Sequence, residues 1–167
     1  MSGEESLLAG KAVSRSGIID PKAVISPERI VFLDYSSKRE VLLSLAENIS
    51  AAPEITDPQE LSREILKRED LMSTAIGCGI AIPHVRLSSI SDLVISVGIS
   101  RADIMDFQTL DGEPVRLLIM IAAAYNQHAY YLQTLAFFSA RLKNGELRNA
   151  LLASNDKKEV YAILTGA

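Results

Sequence analysis

An α/β domain, with one mixed β-sheet sandwiched between helices, is expected from three features of this sequence. Two blocks, 37–49 and 57–72, pair helix N-cap signals with apolar residues at helical spacing. Three runs, 79–83, 93–99 and 115–123, are continuous and rich in β-branched residues, which suits strands covered on both faces. Helical spacing returns over the last third of the chain. A strand, two helices, several strands and three helices, in that order, fit a single domain with helices on both faces of the sheet. At 167 residues the chain is long enough to bury a substantial core.

Each element has its own signal. Residues 1–17 are small and polar without a sustained period, and are expected to form a flexible N-terminal tail before a folded domain spanning 18–167. Ser26-Pro27-Glu28 reads as the entry to a short helical turn. Ile30 to Leu33 has the length of a strand. Ser37 and Glu40 make a capping box, behind which Val41, Leu42, Leu45, Ala46 and Ile49 line one helical face until Ala52-Pro53 stops it. Asp57, Pro58 and Glu60 open a second helix that is expected to reach Met72. Asp111-Gly112 marks a turn between Ile104–Phe107 and the strand from Val115. Leu132, Leu135, Ala136, Ser139 and Leu142 are expected to share the buried face of a helix starting near Gln127. Glu146 to Ala153 reads as a short helix. Asp156 and Glu159 cap a last one, which buries Val160, Ile163 and Leu164.

Composition removes several function classes. The net charge of −4 and the lack of any basic block speak against nucleic-acid binding. The longest apolar run, Val115 to Tyr125, contains Arg116 and is too short for membrane insertion. The N-terminus has acids before its short apolar piece, unlike a signal peptide, and the lone Cys78 has no disulfide partner, so a cytoplasmic location is expected. His84 and His128 are the only histidines, and neither has a second ligand type beside it, so no metal is expected. Gly77 and Gly79 lack the third glycine of a dinucleotide loop, and no cofactor is expected.

The chemistry concentrates in GCGIAIPHVRL, residues 77–87. Pro83 has no N–H to donate, so it is expected to end the strand ladder and leave His84 at the strand end. Residues i and i+2 of an extended chain face the same side, which places Arg86 beside His84. A guanidinium there lowers the imidazole pKa. It suits a neutral ring that attacks phosphorus while the cation receives the phosphoryl charge. The plainer alternative is a strand histidine that has merely found a hydrogen-bond partner. His128 lies near a helix start, where N–H groups favour an anion; equally, it is a solvated residue at a helix start. Cys78 is either a small buried hydrophobe or a thiol nucleophile with His84 as base. Ile82, Val85 and Leu87 are candidates for an apolar rim around His84, or for core. The sequence does not identify a group that orients either imidazole; a backbone carbonyl would serve.

REDLMSTAIGCGIAIPHVR, residues 68–86, resembles the enzyme IIA domain of the phosphoenolpyruvate-dependent phosphotransferase system, in its mannitol/fructose/nitrogen-regulatory class. The run matches that family's "RE…ST-x-IG-x-GIAIPH" signature without gaps. The likeness continues through SSKREVLLSLAENI, DGEPVRLLIMIAA and HAYYLQTLAFFSARL, and so covers about residues 18–165. It implies a mixed sheet sandwiched by helices. It also implies that His84 accepts a phosphoryl group from a histidine-containing phosphocarrier protein, with no cofactor because the donor is itself a phosphoprotein. His128 matches the second active-site histidine, and Arg86 the basic residue two places after the first. The implied acceptor is a sugar-permease component or a regulatory target protein. Val85 departs from the small residue usual between His and Arg, and adds bulk expected beside the docking surface.

Three readings follow. The first is a phosphoryl-relay protein, a phosphotransferase with a phosphohistidine intermediate, whose free-standing length is closest to the nitrogen-regulatory branch. The second is a binding module whose partner is switched by phosphorylation, without onward transfer. The third is a hydrolase using Cys78 and His84.

Overall fold

The computed structural model describes residues 19–166 of the chain. The tail expected at 1–17, and both end residues of the expected 18–167 domain, lie outside the described residues. Six α-helices and six strands occur among the described residues, in one domain. A short helix α1 (Pro21–Val24) and a 3₁₀ turn (Pro27–Arg29) lead into β1 (Ile30–Leu33). Helices α2 (Lys38–Ser50) and α3 (Pro58–Leu71) follow, capped by Ser37 and Asp57 as expected. Their side chains accept from Glu40 N and Glu60 N, satisfying N–H groups that the first turn leaves without partners. Strands β2 (Ala75–Gly77), β3 (Ile80–Ala81), β4 (His84–Leu87), β5 (Val94–Ile104) and β6 (Val115–Ala124) come next. The chain ends in α4 (His128–Leu142), α5 (Gly145–Ala153) and α6 (Lys157–Thr165).

The sheet order is β1-β5-β6-β3-β2, with β4 also paired to β6. β1 runs parallel to β5, β5 antiparallel to β6, and β3 and β4 parallel to β6, so the sheet is mixed. The continuous apolar runs are explained by what covers them. Along β6, Leu118, Met120 and Ala122 join the core with Leu45 and Leu61 of α2 and α3. The alternate residues Leu117, Ile119 and Ile121 join the core with Phe138, Leu151 and Leu164 of α4 to α6. No helix among the described residues is long and apolar enough to cross a membrane.

Two boundaries and one buried face differ from expectation. The run expected as one strand over 79–83 is the end of the β2–β3 turn, the two-residue β3 and a break, and the ladder resumes at His84 instead of ending there. Pro83 lacks the donor but keeps the acceptor: its carbonyl takes Ile121 N at 2.9 Å, which holds the chain on β6 across the break. β5 extends beyond Ile99 to Ile104, with a register shift between those residues. The buried face of α4 is Thr134, Phe138 and Leu142, while Leu132 is 48% exposed and Ala136 is also exposed. A polar residue hid this face: the Thr134 hydroxyl bonds Tyr130 O at 2.8 Å and is satisfied inside the core.

Candidate functional site

The break between β3 and β4 builds the site. At Ile82 the backbone leaves the β6 ladder and takes other partners. Its N–H donates to Thr74 O at 3.0 Å. Its carbonyl lies 2.6 Å from Nδ1 of His84. A carbonyl can only accept, so Nδ1 carries the proton and Nε2 keeps the free lone pair. This carbonyl is the orienting group that the sequence does not identify.

His84 opens β4, half-buried, and its ring centroid is 5.4 Å from that of Tyr131 on α4. Arg86 shares this face of the strand, as the i, i+2 spacing requires. Its guanidinium is 5.5 Å from the Tyr125 ring centroid and 5.6 Å from that of Tyr131, and it donates to Tyr125 O at 2.9 Å. Val85 points the other way, 8% exposed, into the core with α2 and α3. The bulk expected beside the docking surface is therefore on the opposite side of the sheet. Ile82 belongs to the core on the α4 side and Leu87 is half-buried against the core of Val85, so neither Ile82 nor Val85 forms a rim.

Burial lowers the His84 pKa, the Ile82 bond opposes this, and the Arg68 charge lowers it further. Arg68 lies near the end of α3, where it donates to Met72 O at 2.8 Å. Tyr131 is pushed up by burial, against the opposing charges of Arg68 and Arg86, so its phenol stays neutral and able to donate. The site thus gathers a neutral imidazole, two guanidiniums and a phenol, a set suited to an anion arriving at Nε2. Sequence reasoning missed Arg68 and Tyr131. Both sit within the quoted segments, but nothing in their spacing marks them, because one comes from α3 and the other from α4.

His128 is exposed, the first residue of α4, one helical turn before Tyr131 and on the same side. Gln127 makes no capping bond. Its side chain accepts from Ala124 N at 2.9 Å and donates to Asp92 at 2.6 Å, fixing the corner from which His128 projects.

Cys78 is not the buried hydrophobe expected of a lone cysteine. It is exposed, with φ of 57°, in a turn whose neighbours Gly77 and Gly79 also have positive φ. Its N–H donates to Asp111 Oδ2 at 2.8 Å; that bond, then one from Glu113 N, lowers the Asp111 pKa. The structure does not bring Cys78 to His84. Ile80 pairs with Leu117 and His84 with Ile121, a separation of roughly 13 Å along β6 at about 3.3 Å per residue, and Cys78 lies further back still. The thiol has no access to the His84 base, which removes the basis of the hydrolase reading.

Comparison with known proteins agrees with this architecture. Residues 23–167 match the family model for the EIIA 2 component of the phosphoenolpyruvate-dependent sugar phosphotransferase system. The chain is 32% identical over 145 residues to a nitrogen regulatory protein of Bradyrhizobium diazoefficiens, covering 84% of this chain and 92% of that protein. It is 33% identical over 132 residues to the fructose-specific EIIABC component of Bacillus subtilis, covering 79% of this chain but only 21% of that longer protein. Among solved structures, nitrogen regulatory protein IIA-Ntr of Neisseria meningitidis superposes with a TM-score of 0.78 at 23% identity, over 87% of this chain and 98% of that one. The mannitol IIA of Escherichia coli gives 0.72 at 22% identity, over 84% and 98%.

Proposed function

The chain belongs to the EIIA 2 family of the phosphoenolpyruvate-dependent sugar phosphotransferase system, and from that membership we propose that it relays a phosphoryl group through His84. The observation that carries the reading is the bond from His84 Nδ1 to the Ile82 carbonyl, which leaves Nε2 as a fixed, neutral nucleophile. A histidine-containing phosphocarrier protein is the donor. The His84 Nε2–phosphorus bond forms as the donor's own nitrogen–phosphorus bond breaks, and the donor imidazole leaves with the bonding pair. Arg68 and Arg86 take up charge on the phosphoryl oxygens, and the Tyr131 phenol donates to them. His128, one turn before Tyr131, supplies a second imidazole to the phosphoryl group. The Tyr125 ring over Arg86 and the Met72 carbonyl that Arg68 bonds both belong to exposed residues, where a docking partner would meet them.

The test is direct. The protein is mixed with phosphoenolpyruvate, enzyme I and the phosphocarrier, and its intact mass is taken at neutral pH. A gain of one phosphoryl group, labile to mild acid and absent in His84→Ala, is expected. Full phosphorylation of His84→Ala would sink the assignment.

One observation favours a second reading. The nitrogen regulatory relative aligns over 92% of its own length. In that reading the phosphate on His84 is a mark that sets which protein the chain docks with. Stable phosphoprotein that passes nothing to a permease component, yet changes its binding to a regulatory partner, would select it over onward transfer.

A further inference from the structure

Glu69 is a carboxylate in an unexpected place. It follows Arg68 on α3, and it is 4% exposed. The nearest cation, Lys38 Nζ, is 4.0 Å away. A buried carboxylate needs hydrogen-bond donors, and Glu69 draws them from a single residue. Thr74 N donates to both carboxylate oxygens at 3.2 Å, and Thr74 Oγ1 donates to Oε2 at 2.5 Å. An apolar side chain would fill the same volume without that cost, so the charge is there to hold Thr74.

What Thr74 holds is the nucleophile's support. Its carbonyl accepts from Ile82 N at 3.0 Å, and the Ile82 carbonyl accepts from His84 Nδ1 at 2.6 Å. We propose that Glu69 is a positioning residue for His84, acting through the series Glu69, Thr74, Ile82, His84. The carboxylate clamps Thr74 and Thr74 clamps the Ile82 peptide. That peptide in turn fixes both the ring orientation and the tautomer of His84. The same clamp ties the end of α3 to β2, and so holds Arg68, the residue beside Glu69, against the site. The proposal rests on the phosphoryl-relay reading of His84 only for its effect on rate; its effect on the imidazole is independent of that reading.

The experiment therefore reads both. Nitrogen-15 shifts of the His84 ring above its titration range report the tautomer, and uptake from the phosphocarrier reports the rate. Wild-type His84 is expected as the Nδ1–H tautomer. Glu69→Ala is expected to give mixed tautomers and an uptake rate lower by roughly tenfold, the order of loss that follows removal of outer partners that orient metal-binding histidines. Glu69→Gln keeps an acceptor oxygen for Thr74 and is expected to restore the tautomer and most of the rate. A folded Glu69→Ala protein with the wild-type tautomer would overturn the proposal, even with a lowered melting temperature, because a purely structural role moves stability alone. If Glu69→Ala does not fold, Glu69→Met carries the test: it fills the volume and removes both carboxylate oxygens that hold Thr74, and an unchanged tautomer there overturns the proposal. If wild-type protein takes up no phosphoryl group while Glu69→Ala still mixes the tautomers, the relay reading falls and the positioning role stands.

Discussion

In the proposed relay a neutral imidazole is the reactive form of His84, and its surroundings favour that form. Burial disfavours the cation, the Ile82 carbonyl partly restores it, and the Arg68 charge disfavours it again, with the balance below the ordinary value of 6.5. Two consequences follow at this scale. An NMR titration of His84 is expected to give a midpoint below 6.5, and Arg68→Gln should move it upward; a wild-type midpoint at or above 6.5 would contradict the described environment. Stability follows with a definite sign. The unfolded chain takes up the proton first as pH falls, so stability is highest above pH 6.5 and declines as pH drops towards the folded midpoint. His84→Gln should flatten that decline in urea unfolding curves measured on either side of the window. Much of this residue-level picture was legible. His84 and Arg86 were paired by strand alternation alone. The groups that set the chemistry of His84 were not legible, because Ile82 acts through its carbonyl, which any residue has, and Arg68 and Tyr131 arrive from other elements.

Elements carry the next set of constraints. Leu33 of β1 and Leu45 of α2 crowd β5 at Gly98, so that an added methyl must displace them. A Cβ at Gly98 would stand 2.8 Å from Leu33 Cδ1 and 3.0 Å from Leu45 Cδ2, and both leucines are themselves buried to within 1%. Gly98→Ala is expected to cost about 1–3 kcal/mol through overpacking. Thermal unfolding measures it, and a wild-type melting temperature would mean that the leucines shift freely. Phosphoryl uptake well below the melting range should be unchanged, since His84 lies on the opposite face of the sheet. Helix starts were readable because capping is local: Ser37, Asp57 and Asp156 all accept backbone N–H groups as their positions predict. Glu159 was read as a cap partner, but its carboxylate takes Ser154 Oγ at 2.8 Å instead. The β3–β4 break was misread for a related reason. A proline announces a lost donor, but not that the ladder continues on its acceptor.

The whole molecule is organised by β6, which has no solvent-facing side. Its alternate residues belong to two cores, one under α2 and α3 and the other under α4, α5 and α6, and the sheet is the only wall between them. The continuous apolar run at 115–123 made this arrangement legible, since a strand with one wet face would alternate. It also means that neither helical layer has a sheet of its own to remain folded on. Loss of the α4 side exposes Leu117, Ile119 and Ile121 and removes the support that keeps Leu118, Met120 and Ala122 in register against the other layer. Unfolding is therefore expected to be one cooperative step. Phe138→Ala tests this from the α4 side. Phe138 is 0% exposed, and its truncation should cost about 3–5 kcal/mol. Under native-state hydrogen exchange, the most protected amides of α2 and α3 should lose the same free energy as those of α4, although no atom of α2 or α3 has been altered. Loss of protection confined to α4, α5 and α6 would show two separable layers. His84 would then sit on the seam between them, able to lose Tyr131 while keeping the Ile82 carbonyl, and the proposed phosphoryl site would open without global unfolding.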